Sequence, residues 1–153
     1  GPFGTMRTYE SDAYPFTIQY PAAWYELAAD DPNCSSLASA CYANEDDSAL
    51  LYVMEEPLTE GYTLDSYKDA ILSGFSLAFG DYQVLTRQPI ETTQGLPAQV
   101  MTVSILGGAL KMSFFMYLHE DEVAFVAMYL TSADTFNDLD PLITYSFSTF
   151  TVR

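Results

Sequence analysis

The fold of this chain is decided by the stretch FTIQYPAAW, which runs from Phe16 to Trp24. Its apolar residues Phe16, Ile18 and Tyr20 alternate with polar ones, and this period of two predicts a strand with one buried face. Pro21 has no N–H to donate to a neighbouring strand, so we expect the strand to end there. The only tryptophan follows shortly after the proline.

The middle of the chain predicts a helix. Thr63 is a good N-cap residue, and Gly80 occupies the place of a C-terminal cap. Between them the apolar residues recur at helical spacing, so we expect a helix over residues 64–79. The apolar run over residues 49–54, which precedes it, is typical of a buried strand.

The second half predicts an antiparallel meander and a helical tail. Short turns, one of them the pair Gly107-Gly108, separate successive apolar stretches, as antiparallel neighbours require. The tail predicts two helical pieces, the second capped by Asp140 with Pro141 at its first position. The predicted strands cover residues 82–92, 98–106, 110–118 and 123–130.

Three segments together resemble the PsbP/Mog family: residues 16–24, Gly95-Leu96-Pro97-Ala98 and Ser146-Phe147. The resemblance spans about residues 14–150. It implies an α+β fold, an α/β/α sandwich in which an antiparallel sheet meander is flanked by a central helix and a C-terminal helix. It also implies a binding or accessory role with no catalytic residues, because the family is generally non-enzymatic.

The length of 153 residues is that of one domain. Residues 1–6 resemble a remnant of protease cleavage and cloning, so we assign the single PsbP-like domain to residues 7–153. No apolar run approaches the roughly 20 residues of a membrane helix. We therefore expect no direct insertion of this chain into a membrane.

The charge balance indicates which kinds of partner this chain can bind. The chain has 21 acidic residues against 5 basic ones, a formal net charge of −16. Nucleic acids and anionic membrane surfaces need Lys and Arg partners, so neither is expected to bind. A protein partner of basic character fits this charge better, although the acids also serve plain solubility.

The two cysteines, Cys34 and Cys41, lie in one loop-like stretch. Two lone cysteines so placed favour a local disulfide, and with it an extracytoplasmic location that is secreted, periplasmic, lumenal or at the cell surface. The alternative is a pair of free thiols packed inward. A transition-metal site is not expected, because the chain has a single histidine and no further cysteine.

Acidic residues flank the cysteine loop on both sides and define a candidate for weak calcium binding. Closure of the loop would bring the two acidic runs together, and calcium prefers such oxygen ligands. The pattern of a calcium-binding EF-hand is absent, and a solvated acidic loop is the simpler interpretation. The candidate ligands are Asp30, Asp31, Asn33, Glu45, Asp46 and Asp47.

The sequence offers no catalytic constellation and no cofactor motif. There is no Gly-x-Ser-x-Gly element, and Gly107-Gly108 lacks the lysine of a phosphate loop. The aromatic content is 15%, and most of these rings are expected to fill the core. Tyr62, Tyr117 and Tyr129 are candidates for lining a groove between helix and sheet.

These observations favour a non-enzymatic extracytoplasmic binding or accessory domain, the soluble part of a lipoprotein or of a membrane-attached protein. One alternative is a PsbP-like lumenal subunit of photosystem II, although the lysine-rich docking surfaces of those subunits have no counterpart in a chain with 5 basic residues. A second alternative is an enzyme whose site is built from scattered carboxylates. Two convergent carboxylates in a deep pocket would favour the enzyme.

Overall fold

The computed structural model describes residues 2–59 and 61–153, and these form ten strands and two α-helices. Most of the longer strands have apolar residues that alternate or run continuously, as a buried sheet requires, whereas the strand Tyr82–Glu91 is exposed along most of its length. The helices are α1 (Leu64–Phe79) and α2 (Ala133–Ser148). The strands are β1 (Met6–Glu10), β2 (Phe16–Pro21), β3 (Tyr25–Glu26), β4 (Ala40–Ala43), β5 (Ala49–Pro57), β6 (Tyr82–Glu91), β7 (Pro97–Ile105), β8 (Leu110–His119), β9 (Val123–Ser132) and β10 (Thr151–Val152).

A large antiparallel sheet forms the middle layer, with strand order β3-β4-β5-β9-β8-β7-β6. A smaller antiparallel sheet has the order β1-β2-β10. The helix α1 packs on one face of the large sheet, while α2 and the small sheet pack on the other. The predicted α+β fold, with helices on both faces of an antiparallel sheet, is confirmed.

The face toward α2 holds the larger core. Side chains from strands on the large sheet meet those of β2 and α2 there, because alternate strand residues point to one face. Several of these aromatic rings have no exposed surface and lie in edge or tilted contact with one another. The aromatic centre consists of Phe16, Phe115, Phe125, Phe147 and Phe150.

Local signals fix the ends of α1. Thr63 accepts a hydrogen bond from the backbone N–H of Ser66, and the Ser66 side chain accepts one from the backbone N–H of Thr63. This reciprocal capping satisfies two N–H groups that the helix leaves open. Gly80 follows the helix at φ 76°, a conformation that glycine adopts without strain.

The helix α2 corrects one prediction. It is continuous from Ala133 to Ser148, so Pro141 lies inside it and Asp140 does not begin a second helix. Pro141 is exposed, and the lost backbone hydrogen bond is offset because Phe136, Ile143 and Phe147 remain on one buried face.

The short elements were not predicted. The stretch containing Cys41 forms β4, and Met6, which the sequence groups with residues 1–5, begins β1 by pairing with Pro21. The Gly107-Gly108 turn also includes Leu106, and Leu106, Gly107 and Gly108 have φ values of 52°, 67° and 93°. Across the described ranges, 2–59 and 61–153, neither helix has the length and apolar character needed to cross a membrane.

Candidate ligand-binding site

An open apolar cavity lies between α1 and the large sheet. Its volume is about 660 Å³, within the range of small-molecule pockets in proteins. The walls come from α1 on one side and from β5, β8 and β9 on the other. Its apolar lining includes Met54, Ile71, Phe75, Met112, Phe114 and Met128.

Three small, exposed residues of α1 border the cavity on its open side. Ala70, Gly74 and Ala78 lie four residues apart, which places them on one helical face, and all three border the cavity. A Cβ atom added to Gly74 would meet no atom within 4 Å. Of the helix, only Tyr67 and Leu72 are buried. The small face therefore leaves a space that larger side chains would fill.

The sheet supplies a deformable floor. Met54 and Met128 are partly buried, and Met112 is buried beside them. Methionine side chains are flexible and polarizable, so they adapt to ligands of different shape. Phe75 of α1 closes one wall by an edge contact with Phe114, with ring centroids 5.5 Å apart. The interior is thus apolar and adjustable.

One end of the cavity is polar. The hydroxyl of Tyr67 donates a hydrogen bond of 2.6 Å to Oε2 of Glu56, which is exposed at the rim. Burial raises the pKa of the Tyr67 hydroxyl, and the bond to Glu56 raises it further. Tyr62 stands edge-on to Tyr67, with ring centroids 5.8 Å apart. The rim therefore combines a carboxylate with two aromatic rings.

The two glutamates at this end do not form a convergent pair. Adjacent residues of a strand point to opposite faces, and Glu55 accepts a 2.6 Å hydrogen bond from the hydroxyl of Tyr9 in the small sheet. Glu56 instead bonds Tyr67 on α1. Burial and the bond to Glu55 raise the pKa of Tyr9.

A second recess lies beside the small sheet and is lined mostly by polar groups. Its volume is about 530 Å³, and its carboxylates come from Glu10, Asp12, Glu26 and Glu55. Tyr20 and Tyr42 line it as a stacked pair with ring centroids 4.0 Å apart. This recess is acidic where the cavity under α1 is apolar.

The predicted disulfide is confirmed. The sulfur atoms of Cys34 and Cys41 are 2.04 Å apart, and their Cα atoms are 5.6 Å apart. The bond ties the loop before β4 to that strand. Ser35 and Leu37 of the loop border the cavity under α1, and Leu37 is 80% exposed at its mouth.

The predicted calcium ligands do not come together as a site. Within residues 2–59 and 61–153, no group of three acidic, histidine or cysteine side chains is placed to hold a metal ion. Several of the carboxylates instead stabilise turns. Asp31 accepts from the backbone N–H of Asn33, Asp46 from that of Ser48, and Asp47 from the hydroxyl of Tyr25. Asp30 and Glu45, the remaining candidates, are exposed.

The predicted groove aromatics divide between the two faces of the sheet. Tyr62 borders the cavity, as predicted. Tyr117 and Tyr129 instead belong to the core on the α2 face, so their assignment to the groove was wrong. The reason is strand register, because both side chains fall on the phase of β8 and β9 that faces away from α1.

The sequence did not predict that the residues lining the cavity form a site. The spacing of Ala70, Gly74 and Ala78 is visible in the sequence and is the one signal that indicates an unfilled helical face. The methionines Met54 and Met128 lie on strands distant in sequence, so only the tertiary fold brings them to one surface.

Comparison with known proteins finds solved structures of similar fold. No family model and no curated protein sequence matches this chain. Among solved structures, it is similar to the cyanobacterial PsbP (CyanoP) of Synechocystis sp. PCC 6803, with TM-score 0.71, 14% identity and coverage of 100% of both chains. It is also similar to PA94 of Pseudomonas aeruginosa, a protein of unknown function described as a putative regulator, with TM-score 0.59, 14% identity and coverage of 98% of this chain and 99% of that one.

Proposed function

From the PsbP-like fold, we propose that this chain is a non-catalytic binding domain that acts outside the cytoplasm and holds an apolar ligand in the cavity under α1. The observation that carries the proposal is that cavity, about 660 Å³ of apolar space beside a helix face of small residues. An apolar pocket with a few polar groups at one end is the usual form of a small-molecule site.

Binding is favoured over catalysis by the placement of the acids. The two glutamates nearest the cavity, Glu55 and Glu56, bond tyrosines on opposite faces of the sheet. A hydrolytic site built from carboxylates requires two of them in one cavity, flanking the bond that is cleaved. The alternative of an enzyme therefore has less support than a binding role.

The proposed location outside the cytoplasm is supported by the Cys34–Cys41 bond. Structural disulfides persist in oxidising compartments and are rare in the cytosol. On this proposal the chain is the soluble part of a lipoprotein or of a membrane-attached protein. Protein recovered from its native cells under acid quenching should contain no alkylatable thiol, and two alkylatable thiols would contradict the location.

A basic protein partner remains part of the proposal. The acidic recess with Glu10, Asp12 and Glu26 complements lysine or arginine side chains. A role as a photosystem subunit has weaker support, because a likeness to CyanoP at 14% identity concerns the fold alone. Calorimetric titration with a lysine-rich peptide, with Glu26→Gln as the variant, tests the recess. Equal binding by the variant would count against it.

The apolar site is tested with N-phenyl-1-naphthylamine, an uncharged dye that fluoresces in apolar surroundings. We expect saturable binding to the unmodified protein and its loss, by about tenfold or more in affinity, in Gly74→Phe, because the ring enters the open space beside Gly74. Two variants serve as controls. Gly74→Ala adds only a methyl group, and Ser73→Phe adds the same ring at an exposed position that does not border the cavity.

Both control variants should bind the dye as the unmodified protein does, and circular dichroism should give the same spectrum for all four proteins. Absence of saturable binding to the unmodified protein would overturn the proposed site. So would undiminished binding by a folded Gly74→Phe variant.

A further inference from the structure

The charges around the cavity discriminate among apolar ligands. Among the described residues that line it, none is lysine, arginine or histidine, and the charged ones are Glu55 and Glu56. An anionic head group, such as the carboxylate of a fatty acid, would find no cationic partner there. Burying an unpaired charge near a carboxylate is unfavourable, so an anionic amphiphile is disfavoured.

The rim offers a cation two kinds of contact. The Glu56 carboxylate has room for several hydrogen-bond or charge contacts, and Tyr67 occupies one of its oxygens. Tyr62 adds a partly exposed aromatic ring beside it and stands edge-on to the buried Tyr67, with ring centroids 5.8 Å apart. Ammonium groups, quaternary ones included, bind to such rings because the π face is negative.

The charge of the whole chain acts in the same direction. A formal net charge of −16 attracts cations to the surface and repels anions. The apolar interior, with Met54, Met112 and Met128, suits a hydrocarbon chain or ring system rather than a small polar cation. The ligand must therefore combine an apolar body with a positive end.

We infer that the cavity under α1 binds cationic amphiphiles, with the apolar body among the methionines and the ammonium group at the rim formed by Glu56, Tyr62 and Tyr67. This inference rests on the proposed function and specifies its ligand class. It assigns Glu56 as the residue that selects for charge, although the apolar walls supply most of the contact.

The test compares three decyl amphiphiles below their micellar concentrations: decyltrimethylammonium, decanol and decanoate. Each is measured by displacement of N-phenyl-1-naphthylamine at physiological ionic strength, about 0.15 M, where the charge of the distant surface is largely screened. We expect decyltrimethylammonium to bind on the order of tenfold more tightly than decanoate, as a local charge contact at the rim requires.

Glu56→Gln should shrink that ratio several-fold and change decanol affinity much less than decyltrimethylammonium affinity, because the amide keeps the shape and removes the charge. Asp138→Asn is the matched control. It removes one negative charge from an exposed position on α2, on the other face of the sheet, and should leave the ratio as it is.

The outcomes separate the two proposals. If the dye and decanol bind but decanoate equals or exceeds decyltrimethylammonium, the inference about charge fails and the apolar site stands. If Glu56→Gln and Asp138→Asn change the ratio equally, the rim assignment fails. If neither the dye nor any decyl compound binds, the proposed function fails and this inference with it.

Discussion

At the scale of single residues, Ser146 connects three elements through one buried hydroxyl. It accepts a hydrogen bond of 2.8 Å from the hydroxyl of Tyr129 in β9 and donates one of 2.6 Å to the backbone oxygen of Gln19 in β2. Both Ser146 and Tyr129 have no exposed surface. A buried hydroxyl without a partner costs much more than a removed pair.

Ser146→Ala should therefore destabilise the fold by about 1–3 kcal/mol, because the Tyr129 hydroxyl and the Gln19 carbonyl both lose their partner. Tyr129→Phe should cost less, about 0.5–1.5 kcal/mol, because Ser146 keeps Gln19. Urea unfolding of the two variants and of the double variant measures the coupling. If the two variants lose equal free energy of unfolding and the losses add in the double variant, Ser146 and Tyr129 do not share one hydrogen-bond network.

Phenylalanines on the two faces of the sheet should differ in their contribution to stability. Phe115 has no exposed surface and lies among the aromatic rings of the α2 face, so Phe115→Ala should cost about 3–5 kcal/mol. Phe75 is only partly buried and already borders open space, so Phe75→Ala should cost about 1–2 kcal/mol. Urea unfolding compares them. A larger loss for Phe75→Ala would mean that α1 packs more tightly than described.

At the scale of elements, the two helices should differ in local stability. Within the described residues α1 buries only Tyr67 and Leu72, whereas α2 buries Phe136, Ile143, Ser146 and Phe147. Helical stability in proteins comes mainly from the packing of one face. An element with few buried contacts opens at a lower free energy than the core.

Native-state hydrogen exchange should therefore be faster for the amides of α1 than for those of α2 and β9. Gly74→Ala should slow exchange in α1, because alanine favours the helix by up to about 1 kcal/mol and its methyl group meets open space. The amides of α2 serve as the internal reference. Equal protection of both helices would contradict the described difference in packing.

The predictability of the elements follows from whether their determinants are local. The helix α1 was predicted with its observed limits because Thr63, Gly80 and the spacing between them are all adjacent in sequence. The strand β4 was missed because four residues amid Asp, Asn and Ser carry too little periodicity. Pro141 led to the wrong prediction of a second helix, because a helix held by its tertiary contacts tolerates a proline that an isolated helix would not.

The candidate site was less predictable than the fold. A cavity depends on the distance between α1 and a sheet whose strands come from β5, β8 and β9, and no local pattern encodes that distance. Tyr129 illustrates the difficulty, because its strand was predicted but the face to which it points depends on register. The resemblance to a family supplied the architecture, and it supplied no ligand.

At the scale of the whole molecule, charge repulsion should lower stability at low salt. In the described part of the chain three ion pairs occur, Lys68–Asp69, Arg87–Asp65 and Arg153–Glu10, so most of the 21 acids lack a basic partner. Raising NaCl from about 0.01 M to about 1 M shortens the screening length from roughly 30 Å to 3 Å. We expect the melting temperature to rise across this range. A flat or falling temperature in calorimetry would indicate that the carboxylates are too dispersed to repel.

The buried tyrosines should set the alkaline limit of stability. Burial raises the pKa of Tyr42, Tyr67 and Tyr129, whereas tyrosine in an unfolded chain ionises near pH 10. Above that pH the unfolded state binds fewer protons than the native state, so the free energy of unfolding falls as pH rises. The slope should approach about 1.4 kcal/mol per pH unit for each such tyrosine. Urea unfolding between about pH 9 and 11 measures it, and a free energy of unfolding that stays constant across this range would contradict it.

The unequal packing of the two faces has an evolutionary consequence. Substitutions among the rings beside α2 threaten the fold itself, so few of them are accessible to a lineage. Substitutions of the partly buried residues under α1, such as Met54, Phe75 and Met128, change a space that is already incompletely filled and should cost less. On the proposed function, one ligand preference can therefore replace another while the architecture stays constant. A fold built in this way is a scaffold whose specificity drifts faster than its shape.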